Sequence, residues 1–210
     1  MKTYFLVVPI IFLSLGCSAS YNVAVNGYTA SGESVQIPQA ASIAVVTDSN
    51  VPNPILEKEV AVKIEKLLAE QGYSTGADQP DYYLTFNYGI DAGRTVTDAI
   101  PIHHPGFFYD RYPYESFHWY GYTTYMPYSE VIHTRWLLLK LYGGEAYRAS
   151  GSAEPAWIGE IASAGMSSDL REIVNYMLIA AFEHFAEDTQ RQITEIIYRD
   201  DERVWMLTGY

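Results

Sequence analysis

Hydrophobic and polar positions recur along the first half of the chain with the periods of regular secondary structure. Residues 42–46 are apolar and β-branched, which predicts a short buried strand. Between Leu56 and Leu68 apolar side chains recur at helical spacing, after the capping residue Asn53 and before Gly72. We predict an amphipathic helix here that covers one face of a sheet.

The second half of the chain continues with strand patterns and a second helix. Residues 82–90 alternate between large apolar or aromatic side chains and smaller polar ones, which predicts a strand with one buried face. Residues 130–142 and 155–163 are further predicted strands. Asp169 then fits the N-cap of a second amphipathic helix, with Glu172 three residues later as its capping-box partner.

The order of these elements predicts the fold class. Residues 191–198 favour a last strand over a helical turn, and residues 199–210 form a polar C-terminal tail. Residues 17–40 are small, polar and rich in Gly and Ser; we predict an N-terminal tether in which residues 21–25 fit a short strand. The expected fold is α/β of the α+β type: a single domain over residues 41–198, with a mostly antiparallel sheet and two helices on one face in a two-layer sandwich.

A short apolar run opens the chain and has the features of a signal peptide. Lys2 is the only charge before Cys17, and the segment from Tyr4 to Leu15 is almost wholly apolar. This run has about 12 residues, whereas a membrane-spanning helix needs about 20. A basic start, a short apolar stretch and small residues at a cleavage point predict a signal peptide over residues 1–16.

The only cysteine of the chain follows this run directly. It is either an idle small residue of the signal or a lipid-attachment site, and the stretch LSLGC ending at Cys17 resembles the lipobox of bacterial lipoproteins. The resemblance implies cleavage before Cys17, a diacylglycerol on its thiol and acylation of the new amine, with palmitate among the expected chains. Ser14 departs from the pattern, which prefers Leu. Ser18 resembles an outer-membrane sorting signal, so the expected location is the outer membrane, facing the periplasm.

The charge balance narrows the classes of partner. The formal net charge is -12 and the pI is about 4.7. Nucleic-acid binding requires clustered Lys and Arg, so we expect no nucleic-acid partner. The same acidity argues against electrostatic docking to anionic lipid. Attachment to a membrane must therefore come from the N-terminal lipid anchor.

A long aromatic insertion separates the second and third predicted strands, over residues 95–130. Disordered segments are poor in aromatic residues, so disorder alone does not account for it. The insertion packs its rings on the sheet or on itself, or it forms a contact surface, because Tyr and Trp combine large rigid area with a polar group. The candidate contact residues are Tyr109, Tyr112, Tyr114, Trp119, Tyr120, Tyr122 and Tyr125.

Four histidines in or near the insertion provide a third and weaker interpretation, a metal site. The candidates are His103, His104, His118 and His133. A zinc site needs three or four converging ligands, and adjacent histidines in a strand point in opposite directions. We therefore predict no metal and no other cofactor.

Catalytic motifs are missing from the sequence. It contains no GxGxxG, no P-loop and no GxSxG, so nothing points to nucleotide binding or to a nucleophile elbow. Asp91 and Arg94 close the strand at residues 82–90, where they fit an edge salt bridge or the lining of a cleft. The expectation is that the protein is not an enzyme.

Several segments, in their order along the chain, resemble a family of bacterial envelope proteins, the domain of unknown function 4136 family. They are AEQGYS, DQPDYYLTFNYGIDAG, HTRWLLLKLYGGEAYRAS and PAWIGEIASAGMSSDLREIVNYMLIAAF. Trp157, Gly165 and residues 168–171 stand where the family shows a Trp and a Ser-x-Asp-Leu-Arg-like helix start. The resemblance implies a lipidated envelope domain and carries over no catalytic residue.

These observations favour a lipid-anchored envelope protein with a non-catalytic binding or scaffolding role, whose aromatic insertion contacts another envelope protein. Two alternatives stay open. One is an envelope glycan-binding module that uses Tyr and Trp platforms, and the other is a His-based metal-dependent hydrolase.

Overall fold

The structure is a computed structural model that describes residues 19–104, 121–150 and 153–209. This part of the chain contains seven strands and four helices. In chain order they are β1 (Ser20–Thr29), β2 (Ile43–Val46), α1 (Pro54–Glu70), β3 (Tyr82–Ile90), β4 (Arg94–His104), β5 (Tyr122–Gly143), α2 (Gly144–Ser150), β6 (Trp157–Gly165), α3 (Leu170–Glu183), β7 (Ile193–Tyr198) and α4 (Glu202–Thr208). Cys17 lies outside the described residues.

One sheet organises the fold, with the strand order β2-β3-β5-β6-β1-β7, and β4 pairs only with β5. The β2–β3 pair is parallel and is connected through α1, whereas all other pairs are antiparallel. This confirms the predicted α+β class with a mostly antiparallel sheet. None of the helices in the described residues combines the length and the apolar composition of a membrane span.

The two predicted helices, α1 and α3, cover one face of the sheet and close the core. The side chain of Asn53 accepts a hydrogen bond from the Leu56 N–H at 3.1 Å, and that of Asp169 accepts one from the Glu172 N–H at 3.1 Å. Both caps thus satisfy backbone donors that a helix start leaves free. The core between the layers includes the fully buried side chains of Val25, Ile64, Leu84, Leu139, Ile161 and Met177.

Part of the N-terminal segment belongs to the sheet, because residues 20–29, within the tether expected over residues 17–40, form strand β1. Strand β1 lies between β6 and β7, and Val23 and Val25 are fully buried. At Gly27 an added Cβ would lie 2.2 Å from the carbonyl oxygen of Glu187, so a side chain there would clash with the backbone. The strand expected over residues 21–25 is therefore real, and it is longer and more central than its Gly- and Ser-rich surroundings suggested.

The C-terminal tail expected over residues 199–210 also contains regular structure. Helix α4 begins after Asp201, whose side chain accepts a hydrogen bond from the Arg203 N–H at 2.9 Å. Val204 and Leu207 are buried and belong to the hydrophobic core. Two apolar residues three positions apart are enough to dock this short helix, because they lie on one helical face.

Helix α2 lies against the other face of the sheet and has no counterpart in the sequence prediction. Its Tyr147 ring stacks on Tyr83 with the ring centroids 4.6 Å apart and lies 5.1 Å from Tyr142. Tyr83 and Tyr142 are register partners on β3 and β5, and they alternate with the buried Leu84 and Leu141. The sheet is therefore partly covered on this side too, near one end of β3.

Strand β4 and the first half of β5 project beyond the sheet as a two-stranded ribbon. The antiparallel pairing runs from Arg94 opposite Ile132 to His104 opposite Tyr122. Only residues 133–143 of β5 lie in the main sheet, between β3 and β6. We call residues 94–104 and 122–132 together the ribbon. The described part of the aromatic insertion is thus a regular β structure.

The base of the ribbon and the start of β1 lie at the same end of the sheet. β5 enters the sheet at His133, which pairs with Gly165 at the end of β6. β1 begins at this same end, because Val23 pairs with Ser163, two residues before Gly165, and Ser20 lies three residues further out. The start of the described chain and the base of the ribbon are therefore neighbours.

Candidate contact surface

The ribbon has two faces of different character. Directly opposed residues of an antiparallel pair project from the same face, and successive residues alternate between faces. One face, which we call the apolar face, carries the apolar or aromatic residues Val96, Ile100, Ile102, Tyr122, Met126, Tyr128 and Ile132, together with the polar residues Arg94, Asp98, His104, Thr124 and Glu130. The opposite face carries mainly small, hydroxyl and proline residues: Thr95, Thr97, Ala99, Pro101, Thr123, Pro127 and Ser129, with Tyr125 and Val131 among them.

The apolar face is exposed. The exposed fractions of Ile100, Met126 and Tyr122 are 50%, 56% and 61%. Single exposed hydrophobic residues are ordinary, but rows of them in register form a contiguous patch, and such patches mark interaction sites. The apolar face of the ribbon is therefore the candidate contact surface.

Two carboxylates interrupt this apolar face. Asp98 opposes Tyr128, and Glu130 opposes Val96. A lipid-facing β-strand pays a free-energy penalty for charged side chains, whereas a protein surface can offer basic groups to them. The chemistry of the face therefore fits a partner that presents both apolar and basic groups.

The two strands of the ribbon each contain a proline. Pro101 opposes Tyr125, and Pro127 opposes Ala99. A proline has no backbone N–H, and natural sheets use it to make their edges poor templates for a further strand. The ribbon is therefore better suited to contact through the side chains of a face than to the addition of a strand.

Two of the seven aromatic residues predicted as contact residues lie in the described part of the chain. Tyr122 is on the apolar face and stacks on His104, with the ring centroids 4.7 Å apart. Tyr125 is on the opposite face and is 69% exposed. Tyr109, Tyr112, Tyr114, Trp119 and Tyr120 lie outside the described residues.

The structure does not bring the candidate metal ligands together. His103 Nδ1 lies 2.8 Å from Thr123 Oγ1, and His104 Nε2 lies 2.8 Å from Thr124 Oγ1, on opposite faces of the ribbon. His133 is at the base, about 30 Å along the ribbon from His103 at 3.3 Å per residue. His118 is outside the described residues, within which no cluster of three or more metal-ligating side chains occurs.

Asp91 holds the turn between β3 and the ribbon. Its Oδ1 accepts hydrogen bonds from the N–H groups of Gly93 and Thr134, both at 2.9 Å. The bond from Thr134, followed by that from Gly93, lowers the pKa of Asp91. Gly93 has a φ of +80°, which favours glycine. Asp91 thus fixes the direction in which the ribbon leaves the sheet.

A buried arginine lies at the same end of the sheet, and the sequence prediction did not single it out. Arg135 is fully buried on the face of β5 that carries Leu137 and Leu139. Its Nη1 donates to the carbonyl oxygen of His133 at 3.1 Å, while Nε and Nη2 have no hydrogen-bond partner within the described residues. Burial lowers the pKa of Arg135. Its place in the two-residue alternation of RWLLLKLY is the signal that could have revealed it.

The fifth histidine joins two elements of the body, by which we mean the described residues outside the ribbon. His184, at the C-terminal end of α3, places Nδ1 at 3.0 Å from Glu187 Oε2 and Nε2 at 2.9 Å from Glu195 Oε1. Burial is the largest single influence and lowers the pKa of His184, but the bonds to Glu195 and Glu187 together outweigh it, so the pKa is raised. His184 therefore acts as a structural cross-link between α3 and β7.

Comparison with known proteins gives only distant similarity. No protein-family model matches the chain, and no curated protein sequence is detectably similar to it. A PDZ domain protein from Parabacteroides distasonis ATCC 8503 is 12% identical with a TM-score of 0.48, and the match covers 85% of this chain and 39% of that chain. PelC from Paraburkholderia phytofirmans, solved as a dodecamer in two crystal forms, is 8% identical with a TM-score of 0.39. Those matches cover 75% of this chain and 92% and 93% of PelC.

Proposed function

We propose that this chain is a lipid-anchored protein of the bacterial cell envelope with a non-catalytic binding role, and that the apolar face of the ribbon is its contact surface for another envelope protein. The exposed row of apolar side chains on the ribbon carries this proposal. The lipobox-like sequence at Cys17 and the resemblance to the domain of unknown function 4136 family support the anchor and the envelope location, at the periplasmic side of the outer membrane.

The position of the chain start supports a contact close to the membrane. The Ala19 carbonyl accepts a hydrogen bond from the Arg199 N–H at 2.8 Å, so the backbone is held to the fold two residues after Cys17. Three residue steps, from Cys17 to Ser20, span at most about 11 Å of extended chain. An acylated Cys17 would therefore hold the base of the ribbon next to the bilayer, within reach of a protein in or on the same membrane.

A protein is a better occupant of the apolar face than the bilayer itself. Asp98 and Glu130 would have to enter the lipid together with their apolar neighbours, which is unfavourable for charged groups. The net charge of -12 adds repulsion from anionic headgroups. A protein surface with basic groups removes both costs.

Site-specific photo-crosslinking in native membranes tests the contact surface. A photoreactive residue replaces Ile100 or Met126 on the apolar face, and Val62 or Trp205, which are exposed on helices of the body, serve as matched controls. We expect one protein adduct of the same mass from both ribbon positions and none from the controls. Adducts from all four positions, adducts to lipid or adducts with twice the mass of the chain would contradict the proposal.

Mass spectrometry of the full chain extracted from membranes tests the anchor separately. We expect the mass of a chain that begins at Cys17 and carries acyl groups, and we expect Cys17→Ser to abolish membrane association. A chain that keeps Met1, or a C17S variant that stays membrane-bound, would disprove lipidation without bearing on the ribbon.

A further inference from the structure

A shallow cavity of about 360 Å³ lies on the sheet face opposite α1 and α3, which we call the outer face. Register places Trp136 of β5, Ala162 of β6 and Ala24 of β1 side by side across this face. The two alanines form a low floor about 10 Å across, since neighbouring strands are about 4.8 Å apart. The floor is bounded by the larger side chains of the surrounding positions.

Trp136 presents a flat ring beside this floor. Gly89 of β3 is its register partner, and a Cβ added to Gly89 would lie 2.6 Å from Cζ2 and 2.7 Å from Cε2 of the indole. The ring therefore lies down over the glycine backbone, in space that any other residue would occupy. Trp136 is nevertheless 44% exposed, so the ring offers an apolar platform to solvent.

Polar side chains line the same cavity. Asn26 and Glu160 are register partners in the row beyond the alanines, and Gln192 lies nearby. The side-chain amides of Asn26 and Gln192 form no hydrogen bond within the described residues, so their donors and acceptors are available to a ligand. Burial and the nearby Glu160 carboxylate raise the pKa of Tyr28, which is a second exposed aromatic residue on this face.

We infer that the outer face binds a neutral oligosaccharide of pyranose sugars, with one sugar ring on the Trp136 platform and the hydroxyl groups of the adjoining sugars bonded to Asn26, Glu160 and Gln192. The apolar C–H face of a pyranose matches an exposed indole, while its ring of hydroxyl groups needs amide and carboxylate partners at the rim. This inference is independent of the ribbon and of the lipid anchor.

The spacing of the two aromatic residues extends the site beyond one sugar. Tyr28 lies two strands away from Trp136 and four residues further along the strand direction. This separation is about 16 Å at the usual strand dimensions. An oligosaccharide of several residues would therefore reach from Trp136 past Glu160 to Tyr28.

The charged side chains on the outer face limit which glycans can bind there and whether the site can cleave them. Among the described residues, Glu160 is the only carboxylate that lines the cavity, whereas glycoside hydrolysis ordinarily uses two. The site is therefore suited to binding rather than cleavage. Lys140 is a basic residue of the same face, in the register row of Tyr28. The net charge of -12 nevertheless disfavours a polyanionic glycan, so we expect a neutral one.

Isothermal titration calorimetry on the full chain in detergent tests this site, with cellotetraose and chitotetraose as probes. We expect the parent chain to bind at least one of the two, and Trp136→Ala and Asn26→Ala each to weaken binding at least tenfold. Ala162 is exposed, so Ala162→Leu adds bulk to the floor of the cavity without removing a contact that stabilises the fold. This variant should also weaken binding at least tenfold.

Two control variants separate this inference from loss of folding and from the proposed function. Trp205→Ala removes an exposed tryptophan from α4, and Met126→Ala changes the ribbon; both should bind the probes like the parent. Failure of the parent to bind either probe, or unchanged binding by W136A and A162L, would overturn the inference and leave the ribbon proposal standing. Loss of binding in M126A would also overturn it, because the site would then not be on the outer face.

Discussion

Strand β5 passes through two environments that contrast sharply. In the body, residues 135–141 are paired with a strand on both sides, and Leu137, Leu139 and Leu141 are buried beneath helices. In the ribbon, residues 122–132 have a partner on one side only, and their apolar side chains are exposed. The same alternating pattern thus stabilises the fold in one half of the strand and remains available for contact in the other.

This difference teaches that alternation identifies the apolar face of a strand but not what covers it. In the body the cover comes from α1 and α3, whose amphipathic patterns are visible in the sequence. The ribbon extends past both helices, and its apolar side chains are exposed within the part of the chain that the structure describes. A buried face contributes to folding stability, whereas an exposed one contributes to binding.

The largest expected effect is a difference in stability between the two halves of β5 when one side chain is truncated in each. Leu139→Ala should lower the free energy of unfolding by about 2–5 kcal/mol, because it leaves a cavity in the core. Met126→Ala in the ribbon should change it by no more than about 0.5 kcal/mol, as exposed positions usually do. Urea denaturation monitored by circular dichroism measures both. Equal losses of stability in the two variants would show that the ribbon is part of the core and would contradict the difference between the two halves of β5.

The second effect concerns Arg135, which is buried at the base of the ribbon, where the ribbon meets the body. Arg135→Met should raise the free energy of unfolding by about 1–3 kcal/mol, because it removes a desolvated charge while it keeps the apolar volume. Lys140→Met, which replaces a partly exposed basic residue on the other face of the same strand, is the control and should change little. A destabilised R135M would mean that the guanidinium has a stabilising role that its observed contacts do not show.

The smallest effect is a pH dependence confined to the body. The pKa of His184 is raised in the folded state, so this residue contributes stability that is complete below its unfolded pKa of about 6.5. The contribution is lost as the pH rises through the folded-state pKa. The stability difference between the parent and His184→Gln should therefore shrink from pH 6 to pH 9 in urea titrations. A stability difference for H184Q that stays constant with pH would refute the cross-link.

Much of the body could be predicted from local patterns. The helices, their caps at Asn53 and Asp169, and the strand at residues 82–90 follow from spacing alone, because each element has a buried face of its own. Strand β1 was predicted too short because its central position depends on β6 and β7, which pair with it from at least 128 positions away. Helix α4 was missed because its apolar run, residues 204–207, is only four residues long and directly follows the four charged residues 200–203.

The candidate sites were less predictable than the fold. The aromatic insertion pointed to the ribbon, and Tyr122 and Tyr125 are indeed exposed on it, but its apolar face depends on a register that places Ile100 opposite Met126. The Trp136 platform depends on a glycine at its register partner 47 positions earlier, Gly89. Such juxtapositions come from strand pairing, and no local period in the sequence contains them.

The central claim is that the ribbon binds a partner protein and is not needed for folding. Removal of the ribbon tests this claim most directly, and the strand register shows where the chain can be shortened. Because Arg94 opposes Ile132, an Asn-Gly turn can join these two residues and replace residues 95–131. The account predicts that this chain keeps its anchor and the cooperative unfolding of the parent, and that it no longer co-purifies with the protein crosslinked through Ile100 and Met126. A shortened chain that is folded and still retains that partner would contradict the account.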